Sequence, residues 1–234
     1  MLRVTIFNEN LHEREIPAIR EVYPMGIHGC LASLFENDPD IQVKTATFEM
    51  PEHGLTEEVL ENTDVLIYWS HALQDQFSDV VTARIRDHVH RGMGLVALHS
   101  AHYSKIMRTL LGTPMTLQWR DDDHEKLWCV TPGHPIAAGV SPMIELEMEE
   151  MYGEPFGIPD PDELIFIGSF SRGEVFRSGC VFNRGRGKIF YFQPGHEAYP
   201  NYMNPEIRKI IYNGTRYVAP VCKVAALPEN IHAI

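Results

Sequence analysis

The segment Leu95-Val-Ala-Leu-His99-Ser100-Ala101-His102 joins a short apolar run to polar residues and then to a helical pattern. In an α/β protein such a junction is a common place to present a reactive side chain. Ala97 and Ala101, two positions either side of His99, leave the room that a tight strand-to-helix elbow requires. A histidine stands where a Cys or Ser nucleophile is expected. Ser100 is the rival nucleophile, with His196 as base and Glu197 as orienter in the manner of a triad. Its frame, Leu98-x-Ser100-x-His102, lacks the small flanking residues of G-x-S-x-G, so Ser100 reads better as a backbone N–H donor or hydroxyl contact.

Other polar residues gather in the same way. His71 follows the run Val65 to Trp69, His196 follows Ile189 to Phe192, and His28 lies near the start of the helix after the first strand. In an open parallel sheet these positions share the carboxyl edge of the strands, where ligands bind. Imidazole titrates near neutrality and binds metal when neutral, so His28, His71, His99 and His196 could serve acid/base chemistry or hold Zn2+. No H-E-x-x-H or Cys/His zinc spacing accompanies them.

Glu149 or Glu150, beside Tyr152, could enter the crevice as a general acid/base or a metal carboxylate. Arg177 could bind a substrate hydroxyl or carboxylate, or only pair with a neighbouring acid. Trp69, His102, Tyr103, Trp119, Tyr152 and Tyr199 are candidate walls. Cys30 and Cys180 read as structural thiols, and Arg120 with Asp121-Asp-Asp123 reads as a surface turn. Gly185-Arg-Gly187 is too short to cradle phosphate, and no dinucleotide fingerprint follows a strand, so nucleotide cofactors are not indicated.

The elements that must position these residues alternate strictly through the first half. Leu2 to Phe7 is a strand, Ile27 to Phe35 has helical spacing, Ile41 to Phe48 is a half-buried or edge strand, and Thr56 caps a short acidic helix. Asp64 to Trp69 is a buried strand, Phe77 to Val89 a helix stopped by Gly92, Gly94 to Leu98 a strand, and about Ala101 to Leu111 a helix ended by Gly112. Such alternation implies right-handed crossovers and a parallel sheet covered on both faces. Short strands follow at 115–118, 125–130, 144–151, 163–168, 173–176, 179–182 and 188–192, a meander extending that sheet. Asn204 caps a final helix with Pro205 at its first position.

The 234 residues suit one domain spanning 1–234, with 44% hydrophobic and 22% charged residues as in ordinary soluble proteins. A net charge of −12 argues against a nucleic-acid surface. No apolar run approaches a membrane span, and four dispersed cysteines without a secretory leader suggest reduced thiols in the cytoplasm. His88 and His90, in a charged helical stretch, are expected to be solvated.

The segment Tyr191-Phe-Gln-Pro-Gly-His196-Glu197 resembles the one that supplies the catalytic His and Glu in class I glutamine amidotransferase-like folds. More closely, five segments together resemble the ThuA family, named for trehalose utilisation. They are Tyr23-Pro-Met-Gly-Ile-His28, Leu98 to Lys105, Glu149 to Glu154, Val175 to Cys180, and Pro194 to Pro200. The resemblance implies a flavodoxin-like, amidotransferase-type three-layer α/β sandwich with a mostly parallel sheet and added antiparallel strands. It also implies a place in sugar catabolism, with a disaccharide or its 3-keto derivative as ligand, and a homo-oligomer as the general expectation.

With His99 at the elbow the thiolate is missing, so glutamine hydrolysis is not expected. Three readings remain: a sugar-acting enzyme using the histidine cluster with or without zinc, a non-catalytic sugar-binding or partner-docking protein, and a Ser100-dependent hydrolase.

Overall fold

A computed structural model describes residues 1–227; residues 228–234 of the span expected as one domain lie outside the described residues. The chain enters through β1 (Leu2–Asn8), three short helices α1 (His12–Glu15), α2 (Pro17–Val22) and α3 (Gly26–Ala32), then β2 (Ile41–Thr47). Next come α4 (Glu57–Glu61), β3 (Val65–Trp69), α5 (Asp79–Arg91), β4 (Gly94–Leu98) and α6 (Lys105–Leu111). Four strands follow, β5 (Gln118–Cys129), β6 (Met143–Gly153), β7 (Glu163–Phe170) and β8 (Val175–Arg184), before β9 (Gly187–Phe192) and α7 (Pro205–Val218).

All nine strands form one sheet in the order β2-β1-β3-β4-β9-β8-β7-β5-β6. From β2 to β9 neighbours run parallel. From β9 outward each pair is antiparallel. Successive side chains of a strand face opposite sides, and the core divides accordingly. Phe7, Leu66, Tyr68, Leu95 and Ala97 pack with Leu60, Val81, Ile85 and Ile106 of α4, α5 and α6. Val4, Ile6, Val65, Ile67 and Val96 pack with Ile27, Leu31, Ile207 and Ile210 of α3 and α7. The result is a three-layer sandwich. Strands β3 and β4 are buried along their whole length, as continuous apolar runs in a covered parallel sheet should be.

Local signals behave as their chemistry requires. Thr56 accepts the Val59 N–H, Asn204 accepts the N–H groups of Glu206 and Ile207, and Gly92 closes α5 at φ +122°. Among the described residues no helix is long and apolar enough to cross a membrane.

Several expectations are corrected. The helix placed from about Ala101 starts only at Lys105, because residues 99–103 form a 3-10 turn and Ser104 caps α6 by accepting the Met107 N–H at 3.2 Å. Met115 lies outside β5 at φ +60°, so no strand covers 115–117. The two strands expected at 173–176 and 179–182 are one, β8, which pairs continuously with β9 from Gly179 to Arg184.

The Asp121-Asp-Asp123 run is an irregularity inside β5 and not a turn between elements: the register with β6 shifts twice there, and Asp122 is left-handed at φ +56°. Its consequence is that Asp123 turns inward and is buried, with Arg120 as its cation. His88 is fully buried rather than solvated, paired with Glu57 at 2.9 Å. The helix-period positions Val81, Ile85 and Val89 set the buried face of α5, and His88 lies next to it.

Candidate functional site

The buried strand β4 ends at Leu98, and His99 turns the chain into the 3-10 segment with φ +52°. Left-handed backbone is costly for any residue with a Cβ, so the surroundings must hold it there. They do so through both ring nitrogens. Nδ1–H donates to the Gln193 carbonyl at 2.9 Å, and Nε2 lies 2.9 Å from Glu150 Oε2. The ring stacks on Tyr152 with centroids 5.1 Å apart. Burial opposes the charge on His99, but the bond to Glu150 and the charges of Glu150 and Glu149 outweigh it and hold the imidazole up at about 9. His99 is therefore an imidazolium inside the protein.

A second cluster forms on the other side of the crevice. The carboxylate of Glu9, just past β1, accepts the N–H groups of His71, Ala72 and Leu73 at 2.8–2.9 Å and so fixes the loop after β3. On that loop His71 donates from Nδ1 to Glu197 Oε1 at 2.7 Å, and the same oxygen meets His12 Nδ1 at 2.5 Å. Burial works against the Glu197 carboxylate, yet the two imidazole bonds hold it well below the usual carboxylate range. The bond to Glu197 in turn raises His12.

The loop after β9 brings the third part. Glu149, wholly buried on β6, accepts the N–H groups of Gly195 at 2.6 Å and His196 at 3.1 Å, together with Asn201 Nδ2 at 2.9 Å. Trp69 Nε1–H donates to the Gly195 carbonyl at 3.2 Å. The ring of His196 is thereby set 5.2 Å from His71 and 5.4 Å from His99. Burial, with the nearby charge of His99, lowers His196 to about 4, so it is neutral at physiological pH. Its Nδ1 accepts the Ala198 N–H at 3.1 Å, and its Nε2 lies 3.7 Å from Glu197 Oε2.

These parts border a cavity of about 490 Å³ lined by His71, Gln74, Ser100, His102, Tyr103, Thr116, Leu117, Trp119, Asp121, Glu150 and Tyr152. On its floor Ser100 Oγ and the Tyr152 hydroxyl are 2.9 Å apart, and that hydroxyl is 3.4 Å from His99 Nε2. Tyr103 and Trp119 form exposed walls.

The fold brings together His71, His99, His196, Glu150, Glu197, Ser100, Tyr152 and Tyr199, whose ring lies 5.2 Å from His196 while its hydroxyl donates to Asp122 Oδ1. It does not bring the others. His28 Nδ1 lies 3.2 Å from the Asn8 amide, outside the donor groups described next. Trp69 is buried behind the loop it supports. Arg177 forks onto Glu154 at 2.7 and 3.0 Å, the pairing alternative of its two readings. His102 lines the cavity, but burial lowers it to about 3 and keeps it neutral. The Ser100 hydroxyl is bonded to Tyr152 and makes no hydrogen bond with His196, so the three members of the expected triad are not linked.

Sequence reasoning missed His12, Glu9 and Gln193. His12 and Glu9 follow the carboxyl end of β1, so the strand-end rule that found His71 also reaches them. Gln193 acts through its backbone carbonyl, for which the sequence carries no signal.

Among the described residues, the donor atoms of His71, Glu150 and His196 lie within 4.8 Å of one another, as do those of His12, His71 and Glu197. A third such group, Glu57, Glu61 and His88, is held by Arg84 and Arg91. His99 has committed both nitrogens and carries a proton, so it cannot be a ligand in this arrangement. The four-histidine set is thereby reduced to His71 and His196, with Glu150 as the carboxylate.

Comparison with known proteins bears on the whole chain. A protein of Parabacteroides merdae described as ThuA-like has the same fold with a TM-score of 0.69 at 13% identity, over 98% of this chain and 93% of its own. One of Bacteroides uniformis, also described as ThuA-like, gives 0.66 at 14%, over 93% and 91%. A GMP synthase component of Thermoplasma acidophilum gives 0.51 at 13%, over 92% and 93%. At such identities the likeness is one of fold, and it makes the sandwich amidotransferase-like. No protein of curated function matches the sequence. The ThuA family, described as trehalose utilisation, matches residues 3–218, and the chain belongs to that family.

Proposed function

We propose that this chain is an enzyme acting on a neutral carbohydrate or its keto derivative, as a hydrolase or isomerase, at the cavity beside His71, Glu150 and His196. The convergence of those three donor groups within 4.8 Å at one end of that cavity carries the reading. The family's link to trehalose supplies the substrate class.

The donor set suits a divalent ion of the zinc class, which is bound by neutral imidazole and carboxylate. Two buried carboxylate oxygens, Glu150 Oε2 and Glu197 Oε2, have no well-aligned hydrogen-bond partner, although the first is ion-paired with His99. Donation from His71 Nδ1 to Glu197 leaves Nε2 as a lone pair, and Glu197 with His12 keeps the ring in that tautomer. His196 joins through Nε2 by moving its proton to Nδ1 and giving up the Ala198 bond. Zinc bound there would supply Lewis acidity toward a sugar oxygen or a water.

The protein's own groups supply the rest. The His99 imidazolium leads through the Tyr152 hydroxyl to Ser100 Oγ, a line from a buried proton donor to the cavity floor. Along it a proton reaches a departing or developing oxyanion of the sugar. Gln74 Nε2 donates to the Ser100 carbonyl at 2.6 Å and fixes that floor.

Metal analysis of protein purified without a histidine tag, paired with turnover of trehalose and 3-keto-trehalose, tests the reading. Stoichiometric zinc that is lost in His196→Ala together with turnover is the expected result. Substoichiometric metal unchanged by His71→Ala and His196→Ala removes zinc. Sugar binding without turnover of any candidate leaves a binding protein in place of an enzyme.

A further inference from the structure

The cavity has two chemically different ends. One holds the histidines and Glu150; the other is formed by Trp119, Leu117 and Tyr103, with Asp121 beside them. Trp119 is 63% exposed and Tyr103 40%, a large aromatic area left in water next to a polar site.

The backbone fixes both rings relative to the reacting end. Trp119 is the direct cross-strand partner of Tyr152 in the β5–β6 pair, so both point to one face, with Cβ atoms about 5 Å apart. Tyr152 is on the floor over His99, and Trp119 is therefore one strand spacing from it. Tyr103 ends the 3-10 turn that begins at His99, and the Arg108 guanidinium lies 4.6 Å over its ring, holding it as a rigid wall.

Sugar rings present apolar C–H faces that cover aromatic rings, with hydroxyls at their rims for carboxylates to accept. From this geometry we infer that Trp119 and Tyr103 form a second sugar subsite, so that the substrate has two rings. One is held on this aromatic wall with Asp121 at its hydroxyls, and the other is presented to His71 and Glu150. The inference rests on the carbohydrate reading above and narrows it from neutral sugars to disaccharide-sized glycosides. Removing the Trp119 ring should weaken a two-ring sugar and leave a one-ring sugar untouched.

Calorimetric or saturation-transfer titration of the full chain with trehalose and with methyl α-glucoside tests this. Trp119→Ala should raise the trehalose Kd by about tenfold or more while the methyl glucoside Kd changes by less than about twofold. Trp119→Phe, which keeps a ring, should recover part of the loss. Because Trp119 is exposed, an unchanged Tm verifies that the variant folds. A trehalose Kd unchanged in Trp119→Ala overturns the subsite while leaving the carbohydrate reading standing. If wild-type protein binds neither sugar, that reading falls and takes the subsite with it.

Discussion

His71 and Glu197, 126 residues apart in sequence, meet through one hydrogen bond of 2.7 Å in which the ring Nδ1–H donates to Oε1. The bond selects the tautomer of His71 and aims its other nitrogen toward His196 and Glu150. Carboxylates that orient an imidazole in this way contribute to metal affinity without touching the ion.

Glu197→Ala should therefore lower zinc affinity by about 10–100-fold, read by competition with a chelating dye. His12→Ala, which removes only the outer partner of the same oxygen, should lower it less. Equal affinity in wild type and Glu197→Ala would show that Glu197 does not set the ligand.

The left-handed backbone of His99 separates two substitutions that remove the same ring. His99→Gly and His99→Ala both lose the pairing with Glu150, but only Ala keeps a Cβ at φ +52°. The glycine variant should be the more stable by about 1 kcal/mol in urea unfolding. An alanine variant as stable as the glycine one contradicts a left-handed elbow.

Gly195 should tolerate nothing larger. It has φ +130°, and a Cβ there would lie 2.1 Å from the Tyr202 ring. Tyr202 is itself fully buried and unable to move aside. Gly195→Ala should cost about 3 kcal/mol or more, measured by urea unfolding, and should displace the neighbouring His196. A cost under about 1 kcal/mol would mean that the loop relaxes freely.

Glu125 gives a pH signature far from the histidines in sequence. It is wholly buried, and burial, followed by the charge of Glu149, pushes its carboxyl well above the ordinary value despite bonds from Ser178 and Gln193. The folded state thus keeps a proton that the unfolded chain releases near its ordinary value, about 4.3. This group's stabilisation is complete below that pH and declines as pH rises toward the folded value, by up to about 1.4 kcal/mol per pH unit. Glu125→Gln should remove that decline, so its stability relative to wild type should grow between pH 5 and 8. Parallel urea midpoints for the two proteins across that range would refute it.

The thiols should react in order of access. Cys180 is buried, and burial pushes its thiol up to about 12, whereas Cys222 is exposed. A chromogenic disulfide reagent should label Cys222 in the native protein and reach Cys180 only on unfolding. Native labelling of Cys180 at the rate of Cys222 would contradict the packing of β8.

The first half of the fold was legible because its signals are local. Apolar runs such as Val65 to Trp69, caps such as Thr56, and stops such as Gly92 depend on neighbours within a few residues. The alternation of strands and helices then dictates a parallel sheet with a shared carboxyl edge, which is why His71, His99 and His196 could be placed together. The antiparallel half was less legible: β5 carries a bulge at Asp121 to Asp123, and only pairing with β6 tells a bulge from a turn.

By itself the sequence determined the sandwich, its elbow with an imidazole in place of a nucleophile, and the edge at which polar residues gather. Only the tertiary structure decided their roles. His99 became a buried cation because Glu150 and Gln193 meet it from strands distant in sequence. His71 became a hydrogen-bond donor to Glu197, His196 stayed neutral beside it, and His28 was left against Asn8. The charge and tautomer of an imidazole are set by partners a few ångströms away in space, and those partners lie some 50 to 190 residues away along the chain.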